Sequence, residues 1–346
     1  MKKIPVGILG ATGSVGQKFI QLLADHPYFA VSEVAASDRS AGKNYAQAVN
    51  WFLETPIPEN VAELEIKPCQ PDLKCKTVFS GLDSSVAGEI ESQFARAGYT
   101  VISNSKNHRM DDEVPLLIPE VNAAHLALLS GKRPYPGQIV TNPNCSVIGL
   151  VLALKPLYDA FGLEQVNVIT MQALSGAGFP GVASLSITEN VIPYIGGEEE
   201  KMEKEPLKIL GKLEKNSVHF ADFIISAQCN RVPVLDGHLE TVQVRLKHKA
   251  QPQDIIAAWN KFKAEPQKLN LPMAPVQPIH YFEQVDYPQP RLHRNIDKGM
   301  AASVGRLRPC SIFDYKFVML SHNTIRGAAG GTILCAELMK AKGMLS

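Results

Sequence analysis

The chain has 346 residues, 35 Lys and Arg against 34 Asp and Glu, and 45% hydrophobic residues. A globular protein of about two domains is predicted, since one domain commonly takes roughly 150 residues. The formal net charge of +1 gives no overall basic field, which argues against nucleic acid or a membrane surface as a partner. The six cysteines form no CxxC pair, so we expect no structural metal or disulfide framework, and reduced thiols in a cytoplasmic protein are the simplest interpretation.

Two segments superficially resemble targeting or membrane signals. The apolar run 4–11 follows two lysines, but Pro5, Gly7 and Gly10 interrupt it, and no convincing small-residue cleavage site follows. The uncharged stretch 134–154 contains Gln, Thr, Asn and Ser side chains, which would lie unsatisfied in hydrocarbon. We therefore expect neither a secretory leader nor a membrane span.

The first third of the chain alternates short β-rich runs with helical patterns, which predicts a parallel sheet with helices on its faces. An apolar stripe at helical spacing predicts a helix over 15–24. The predicted strands cover 4–9, 29–36, 77–80, 99–103 and 139–141.

After about residue 145 the pattern changes to one typical of an α+β domain. Strands are predicted over 165–174 and 239–247. In the second of these, Val242, Val244 and Leu246 alternate with polar residues, as in an antiparallel sheet with one face in water.

Three further segments complete the predicted organisation. The charged segment 196–215 predicts a solvated helix with i, i+4 pairs. The Pro- and Gln-rich segment 271–290 predicts an extended loop or arm. Helical spacing returns over 330–342.

A glycine-rich turn, Gly10-Ala-Thr-Gly13-Ser-Val-Gly16, separates the first predicted strand from the first predicted helix. Glycines allow the backbone to approach a pyrophosphate, which then lies at the positive end of the helix. The spacing is GxxGxxG rather than GxGxxG, so the motif alone also fits an ordinary strand-to-helix turn. Together with its flanking strand and helix, it predicts a dinucleotide site.

The turn after the second strand indicates which dinucleotide is used. Ser37, Arg39 and Ser40 are potential donors to a 2'-phosphate, whereas Asp38 suits a free ribose hydroxyl. Three donors against one acid favour NADP, while Asp38 leaves NAD open. The alternative is a polar turn without a binding role.

One cysteine has the setting of a nucleophile. Cys145 closes the string Thr141-Asn-Pro-Asn-Cys and opens an apolar helix over 147–154. The dipole and free N–H groups of a helix N-terminus lower a thiol pKa, which predicts an available thiolate. The alternative is a small buried hydrophobe, the commoner fate of a single cysteine, and we expect it for the other five.

A thiolate nucleophile usually has a histidine partner elsewhere in the chain. His238 follows a turn fixed by Pro233 and Gly237, and Arg231 precedes it by seven positions. The guanidinium suits a substrate carboxylate. A surface turn with a solvated arginine and a hydrogen-bonded histidine explains the same residues equally well.

Several strings together resemble one known family. They are GATGSVG, ASDRSAG, SNSKNHRM, TNPNCSV, MQALSGAG, GGEEEKMEKE, NRVPVLDGH and NTIRGAAGG. In this order and over essentially the whole length, they resemble the aspartate-β-semialdehyde dehydrogenases, above all their archaeal and fungal branch. The resemblance implies an α/β fold with an N-terminal Rossmann-type domain over 1–144, completed by a C-terminal helix in 324–346. It implies an α+β catalytic and dimerisation domain over 145–323, similar to that of glyceraldehyde-3-phosphate dehydrogenase.

The resemblance also implies roles for individual residues. The implied catalytic residues are Cys145 as the acylated nucleophile, His238 as the acid/base, Gln172 as the residue that orients the substrate, and Asn144 beside the nucleophile. The implied substrate and phosphate ligands are Arg109, Glu198, Lys201 and Arg231. The implied cofactor ligands are Gly10, Thr12, Gly13, Ser14, Val15, Gly16, Ser37, Arg39, Ser40, Ser175, Gly176, Gly178 and Asn323. The resemblance thus implies that one half of the charged helix faces solvent and the other half lines the active site.

The activity implied by the resemblance is reversible, NADPH-dependent reduction of β-aspartyl phosphate to aspartate β-semialdehyde and phosphate through a cysteine thioester. It belongs to the pathway to lysine, diaminopimelate, methionine, threonine and isoleucine. The implied partners are these small molecules and further copies of the chain, as a homodimer or homotetramer in the cytoplasm.

Three other functions remain open at this point. Two of them are reductases of the same architecture, one acting on an acyl-CoA such as malonyl-CoA and the other on N-acetylglutamyl phosphate. The second is disfavoured because its family carries a GCYPT-like string at the nucleophile, where this chain has NCSV. A dinucleotide-binding regulator without catalysis is disfavoured because Cys145, Gln172, Arg231 and His238 occur together.

Overall fold

The computed structural model describes residues 2–131 and 135–345. Within these ranges the strands are β1 (Ile4–Leu9), β2 (Phe29–Ala36), β3 (Ile66–Pro68), β4 (Thr77–Ser80), β5 (Thr100–Ser103), β6 (Gln138–Thr141), β7 (Leu163–Gln172), β8 (Lys212–Glu214), β9 (Ser217–His219), β10 (Ile224–Arg231), β11 (His238–Leu246), β12 (Ile279–Phe282), β13 (Ala302–Pro309) and β14 (Tyr315–Ser321). The α-helices are α1 (Ser14–Leu23), α2 (Tyr45–Ala48), α3 (Glu59–Ala62), α4 (Ser84–Arg96), α5 (Pro119–Asn122), α6 (Cys145–Phe161), α7 (Ser184–Ile187), α8 (Glu198–Ile209), α9 (Pro252–Lys261), α10 (Glu265–Lys268), α11 (Pro290–His293) and α12 (Gly330–Ala341). Short helical turns cover Ala123–Ser130, Leu174–Ala177, Ile296–Gly299 and Ile325–Ala329.

The first sheet has the strand order β3-β2-β1-β4-β5-β6, and all its neighbouring strands run parallel. This confirms the parallel sheet predicted for the first third of the chain. Because parallel strands end at a common edge, the glycine turn after β1 and the nucleophile string after β6 emerge on the same side. The chain order alone thus brings Gly10 and Cys145 to one edge.

The second sheet has the order β10-β7-β11-β14-β13-β12. Each of the four central strands is antiparallel to its neighbours among them, but the edge strand β10 runs parallel to β7 and the edge strand β12 parallel to β13. The expectation of an antiparallel sheet is therefore wrong at both edges. Between β7 and β10 the chain passes through α8, and a crossover of that kind returns the next strand in the same direction.

One face of the second sheet forms its core with α6. Residues of β11 alternate between buried and half-buried, and Val242, Val244 and Leu246 are on the buried side, as predicted. Apolar residues of α6, among them Leu150 and Leu157, belong to the same core.

Two segments correct the sequence predictions. Helix α8 has one solvated and one buried half, as the family resemblance implies: Glu200 and Lys204 are exposed, whereas Glu198, Glu205 and Lys208 are buried. The pairing differs from the prediction, because Lys201 pairs with Glu198 at i, i+3 rather than at i, i+4. The reason is that the buried face of α8 meets groups of the cavity described below. The segment 271–290 is not simply an arm, because Leu271 is buried in a core and residues 279–282 form edge strand β12.

The chain returns to the first sheet at its C-terminal end. Ile333, Leu334 and Leu338 of α12 share a core with β1 and β2. Just before α12, Arg326 forms a two-pronged ion pair with Glu120, at 2.7 and 2.6 Å, and both side chains are fully buried. In the described ranges, no helix is long and apolar enough to cross a membrane.

Replacing Arg326 by Met should destabilise the protein by about 3–5 kcal/mol, because it leaves the Glu120 carboxylate buried without its counter-ion. Urea unfolding followed by far-UV circular dichroism measures the change. The matched control is Lys342→Met, whose ion pair with Glu265 is about one-third exposed and should contribute less than about 1 kcal/mol. Equal effects of the two substitutions would contradict the role given to the buried pair.

Candidate active site

A cavity of about 820 Å³ lies where the carboxyl edge of the first sheet meets one end of the second. Of the residues implied as functional, those that line it are Ser14, Val15, Arg109, Asn144, Cys145, Ser175, Gly176, Gly178, Glu198, Lys201, Arg231 and Asn323. Residues far apart in sequence, and on both sheets, thus share one cavity.

Cys145 is the first residue of α6, as predicted. The preceding Asn144 caps this helix, since its Oδ1 accepts hydrogen bonds from the N–H groups of Ser146 (2.9 Å) and Val147 (3.4 Å). Asparagine is among the residues preferred at this position. The cap fixes the start of the helix and with it the place of the sulfur.

The expected low thiol pKa is not found. Burial raises the pKa of Cys145 to about 12, the charge of Glu198 acts in the same direction, and Arg109, Arg231 and Lys201 act against both. A helix N-terminus stabilises a thiolate by at most about 2 kcal/mol, which is less than the cost of removing an anion from water in an enclosed cavity. Burial thus favours the neutral thiol over the thiolate at Cys145.

His238 is the partner of the thiol. Its Nε2 lies 3.2 Å from Sγ of Cys145, and its Nδ1 accepts a hydrogen bond from the N–H of Ala173 at 3.0 Å. A peptide N–H can only donate, so Nδ1 must carry the lone pair and the neutral ring carries its proton on Nε2. Burial lowers the pKa of His238 to about 3, and the charge of Arg231 acts in the same direction. The imidazole is thus a neutral hydrogen-bond donor to the sulfur.

The register of the second sheet aligns the side chains around this pair. Arg231 on β10 is opposite Gln172 on β7, and His238 on β11 is opposite Ser321 on β14. The pairing of Leu239 with Met171 places His238 beside Gln172. Four adjacent strands therefore carry one row of polar residues, of which Arg231 lines the cavity while Gln172, His238 and Ser321 are buried next to it in the sheet.

Glu198 connects several of the implied residues. Its Oε1 accepts from Nζ of Lys201 at 2.5 Å, and its Oε2 accepts from Asn144 at 2.9 Å and from Gln172 at 3.4 Å. Burial alone would raise the pKa of Glu198, but Lys201 and the two amides hold it below its usual value. The side chain is therefore a carboxylate that faces the thiol.

Two arginines are fixed at the cavity wall. Arg231 donates to the carbonyl of Ala173 at 2.6 Å. Arg109 donates to Glu205 at 2.8 Å and to the carbonyl of Asn104 at 2.9 Å. Both keep further N–H groups for an anion, because a guanidinium has five.

The glycine turn fits a dinucleotide. Gly10 has φ +73°, and a Cβ on Gly16 would lie 2.2 Å from the carbonyl oxygen of Gly10, so both positions require glycine. Helix α1 begins at Ser14, next to Gly13, which has no side chain to cover the free N–H groups. Ser14 and Val15 line the cavity at this helix end, where a pyrophosphate would bind. Gly10, Thr12, Gly13 and Gly16 form the turn behind them.

The residues implied as cofactor ligands fall into two groups, one outside the cavity lining and largely exposed, and one close to Cys145 and hydrogen-bonded. Ser37 and Arg39 are exposed and Ser40 is half-buried, in the turn after β2 and outside the cavity lining. Near the thiol, Asn323 donates to Ser175 Oγ at 2.8 Å and accepts from the N–H of Gly237 at 2.8 Å.

Two glycines close this near end of the cavity. A Cβ on Gly176 would lie 2.8 Å from a guanidinium nitrogen of Arg231, and Gly178 has φ +72°. Gly176 therefore allows the loop after β7 to approach Arg231, and Gly178 allows the loop to turn.

Several residues of the site were missed in the sequence. Glu205 and Lys208 continue the buried face of α8 beyond Glu198 and Lys201, and their spacing along one helix face was the available signal. Phe52 and Phe179 stack at 4.7 Å at the cavity wall, and no local pattern relates the two.

Comparison with known proteins defines the class first. A model described as the semialdehyde dehydrogenase NAD-binding domain matches residues 5–129, and one described as the semialdehyde dehydrogenase dimerisation domain matches 154–326. Together with the glycine turn after β1, they define a dinucleotide-dependent dehydrogenase of the semialdehyde dehydrogenase class.

The individual relatives narrow the class further. An aspartate-semialdehyde dehydrogenase of Archaeoglobus fulgidus is 50% identical, with 96% of this chain and 97% of the relative covered. One of Schizosaccharomyces pombe is 49% identical, with 98% and 99% covered. The crystal structure of aspartate-semialdehyde dehydrogenase with NADP from Candida albicans superposes with a TM-score of 0.92 at 42% identity, covering 99% of this chain and 100% of that one. The chain belongs to the aspartate-semialdehyde dehydrogenase family.

Replacing Glu198 by Gln should lower the pKa of the Cys145 thiol, because it removes the anion that opposes the thiolate. Alkylation by iodoacetamide at pH 8 should become about 3- to 10-fold faster, since one pKa unit is tenfold in thiolate. Peptide mass spectrometry of Cys145 measures the rate. Glu200→Gln, at an exposed position of the same helix, should leave the rate unchanged, and an unchanged rate in Glu198→Gln would contradict the assigned electrostatics.

Proposed function

We propose that the chain catalyses the reversible, NADPH-dependent reduction of β-aspartyl phosphate to aspartate β-semialdehyde and phosphate. The observation that carries the proposal is the 3.2 Å contact of Cys145 Sγ with His238 Nε2 in a cavity that also holds Arg109, Lys201 and Arg231. The names of the relatives support it.

The charges of the cavity suit those of this substrate. Arg231 lies beside Gln172 and is assigned to the substrate α-carboxylate. Glu198 is the carboxylate for the amino group. Arg109 and Lys201 are assigned to the phosphate, where their positive charge stabilises the leaving group.

In the first step, Sγ of Cys145 attacks the acyl carbon, the C–O bond to phosphate breaks and a thioester forms. The thiol proton ends on the departing phosphate, because His238 already carries a proton on the nitrogen that faces the sulfur. When bound, NADPH supplies the hydride that reduces the thioester.

His238 acts when the carbon–sulfur bond breaks again. The reduced acyl carbon carries an oxyanion, which re-forms the C=O bond of the aldehyde as the carbon–sulfur bond breaks. Nε2–H donates to the departing thiolate and stabilises it in a site that otherwise disfavours the anion, and a proton from solvent then restores the thiol. Of the acid/base role implied by the family resemblance, the hydrogen bond from Ala173 supports the acid half. Gln172 and Asn144 supply amide groups next to the reacting carbon.

The wider assignments are part of the same proposal. Residues 1–144 and 324–346 form the cofactor domain, supported by the core that α12 shares with β1, and residues 145–323 form the catalytic and dimerisation domain. The match of a dimerisation-domain model supports an oligomer, which we propose is a homodimer or homotetramer. All six cysteines are free thiols in the described part of the chain, which supports a reducing cytoplasm as the location.

Purified protein given aspartate β-semialdehyde and inorganic phosphate should reduce NADP, as followed at 340 nm. Cys145→Ala should abolish turnover and still bind NADP, because the nucleophile lies apart from the glycine turn. Malonyl-CoA and N-acetylglutamyl phosphate, tested with NADPH, should give far slower turnover. An equally fast reaction without phosphate would exclude the phosphorylating mechanism, and full activity of Cys145→Ala would exclude the nucleophile.

Replacing Arg39 by Ala should raise the KM for NADP by about 10- to 100-fold, the value of a charge-assisted hydrogen bond to phosphate. Turnover with NAD should change little, because NAD lacks the 2'-phosphate. Arg96→Ala, at an exposed position of α4, is the control. Equal KM values in Arg39→Ala and the unsubstituted protein would remove Arg39 from the 2'-phosphate site and return the choice between NADP and NAD to Asp38.

A further inference from the structure

One buried carboxylate outside the implied active-site set contacts two of its members. Glu205 of α8 is 2% exposed. Its Oε1 accepts from a terminal nitrogen of Arg109 at 2.8 Å, and its Oε2 accepts from the main-chain N–H of Asn144 at 2.7 Å. The same carboxylate therefore holds the cation at the cavity wall and the residue that precedes the nucleophile.

These two contacts join separate parts of the fold. Arg109 lies in the loop after β5 of the first sheet, whereas Asn144 lies between β6 and the start of α6. The two oxygens of a carboxylate are at a fixed distance. Because one oxygen contacts Arg109 and the other contacts Asn144, Glu205 sets the separation between the guanidinium and the neighbouring Cys145. We propose that Glu205 is a positioning residue that fixes Arg109 at the distance from Cys145 needed for phosphate to leave and return.

The neighbouring Lys208 shows that the loop backbone is held separately. Its Nζ donates to the carbonyl oxygens of Arg109, Asp111 and Val114 at 2.8, 2.7 and 3.0 Å. The path of the loop therefore does not depend on Glu205, which acts on the guanidinium itself. With two terminal nitrogens engaged by Glu205 and the carbonyl of Asn104, the guanidinium is confined to one orientation before an anion arrives.

Preorganisation of this kind matters because catalysis depends on geometry that is set before the reaction starts. Without the carboxylate, Arg109 loses a charge-assisted hydrogen bond and can move away from the thiol. In the proposed function Arg231 and Glu198 hold the semialdehyde, so the effect of Glu205 on binding is expected to fall on phosphate. This role rests on the proposed function for its meaning in catalysis, and the contact itself requires only that phosphate binds beside Cys145.

The test is Glu205→Gln, which keeps the shape of the side chain and removes its charge. With semialdehyde and NADP saturating, the KM for phosphate should rise about 10- to 100-fold, while the KM for semialdehyde changes less than about twofold. Glu203→Gln is the matched control, because Glu203 lies on the same helix and accepts from the N–H of Ala227, outside the cavity lining. An unchanged phosphate KM, or an equal rise in both KM values, would overturn the proposal.

A second measurement separates this proposal from the proposed function. Inorganic phosphate should slow alkylation of Cys145 by iodoacetamide without any turnover, and Glu205→Gln should need at least tenfold more phosphate for the same protection. Protection that is identical in both proteins overturns the positioning role even if the enzyme is active. Protection that shifts as expected in a protein inactive with semialdehyde supports the role and rejects the proposed reaction.

Glu205→Asp keeps the proposal open to refutation if Glu205→Gln does not fold. Aspartate keeps the charge on a shorter side chain. The KM of Glu205→Asp for phosphate should therefore exceed that of the unsubstituted protein, but by less than about tenfold. A folded Glu205→Asp with no change in phosphate KM or in phosphate protection would show that neither the reach nor the bidentate contact matters.

Discussion

The position of the sulfur depends on helix α6, which is shared by the two sheets. Its first residue, Cys145, follows β6 at the edge of the first sheet, while its apolar body fills the core of the second. A helix is a stiff element that rises about 1.5 Å per residue, so packing along its length determines where its first residue lies. The contact of Cys145 with His238 therefore depends on hydrophobic packing along α6 as well as on the cap at its start.

Helix α8 shows how buried charge and the active site depend on each other. Glu198, Glu205 and Lys208 are buried on one face of the helix, and Lys201 lies half-buried beside them. Each buried ion costs several kcal/mol unless it is paired and hydrogen-bonded, and the partners are groups of the site, such as Arg109 and Asn144. The groups of the site pair the buried charges of α8, and these charges in turn hold Arg109 and Asn144 in place.

Local features of the site were predictable from the sequence, and features that depend on tertiary burial were not. The glycine turn and the placement of Cys145 at a helix start follow from short strings that strand ends and helix caps require. The pKa of the thiol was predicted in the wrong direction, because a local pattern contains the helix dipole but not the depth of the cavity. For the same reason the residues of 196–215 by themselves predict a solvated helix, and only the family resemblance implies that half of it lines the site. The sequence does not decide the roles of His238 and Arg231, because these depend on the register of their strands with β7 and β14, which only the folded sheets supply.

The hydrogen bond from Ala173 to His238 has a different character from the rest of the site. Its donor is a peptide N–H, which every residue except proline provides. Replacement of the side chain at position 173 can alter packing but leaves the proton of the imidazole on the nitrogen that faces the sulfur. The protonation state of the ring thus depends on the path of the backbone after β7 rather than on a neighbouring side chain.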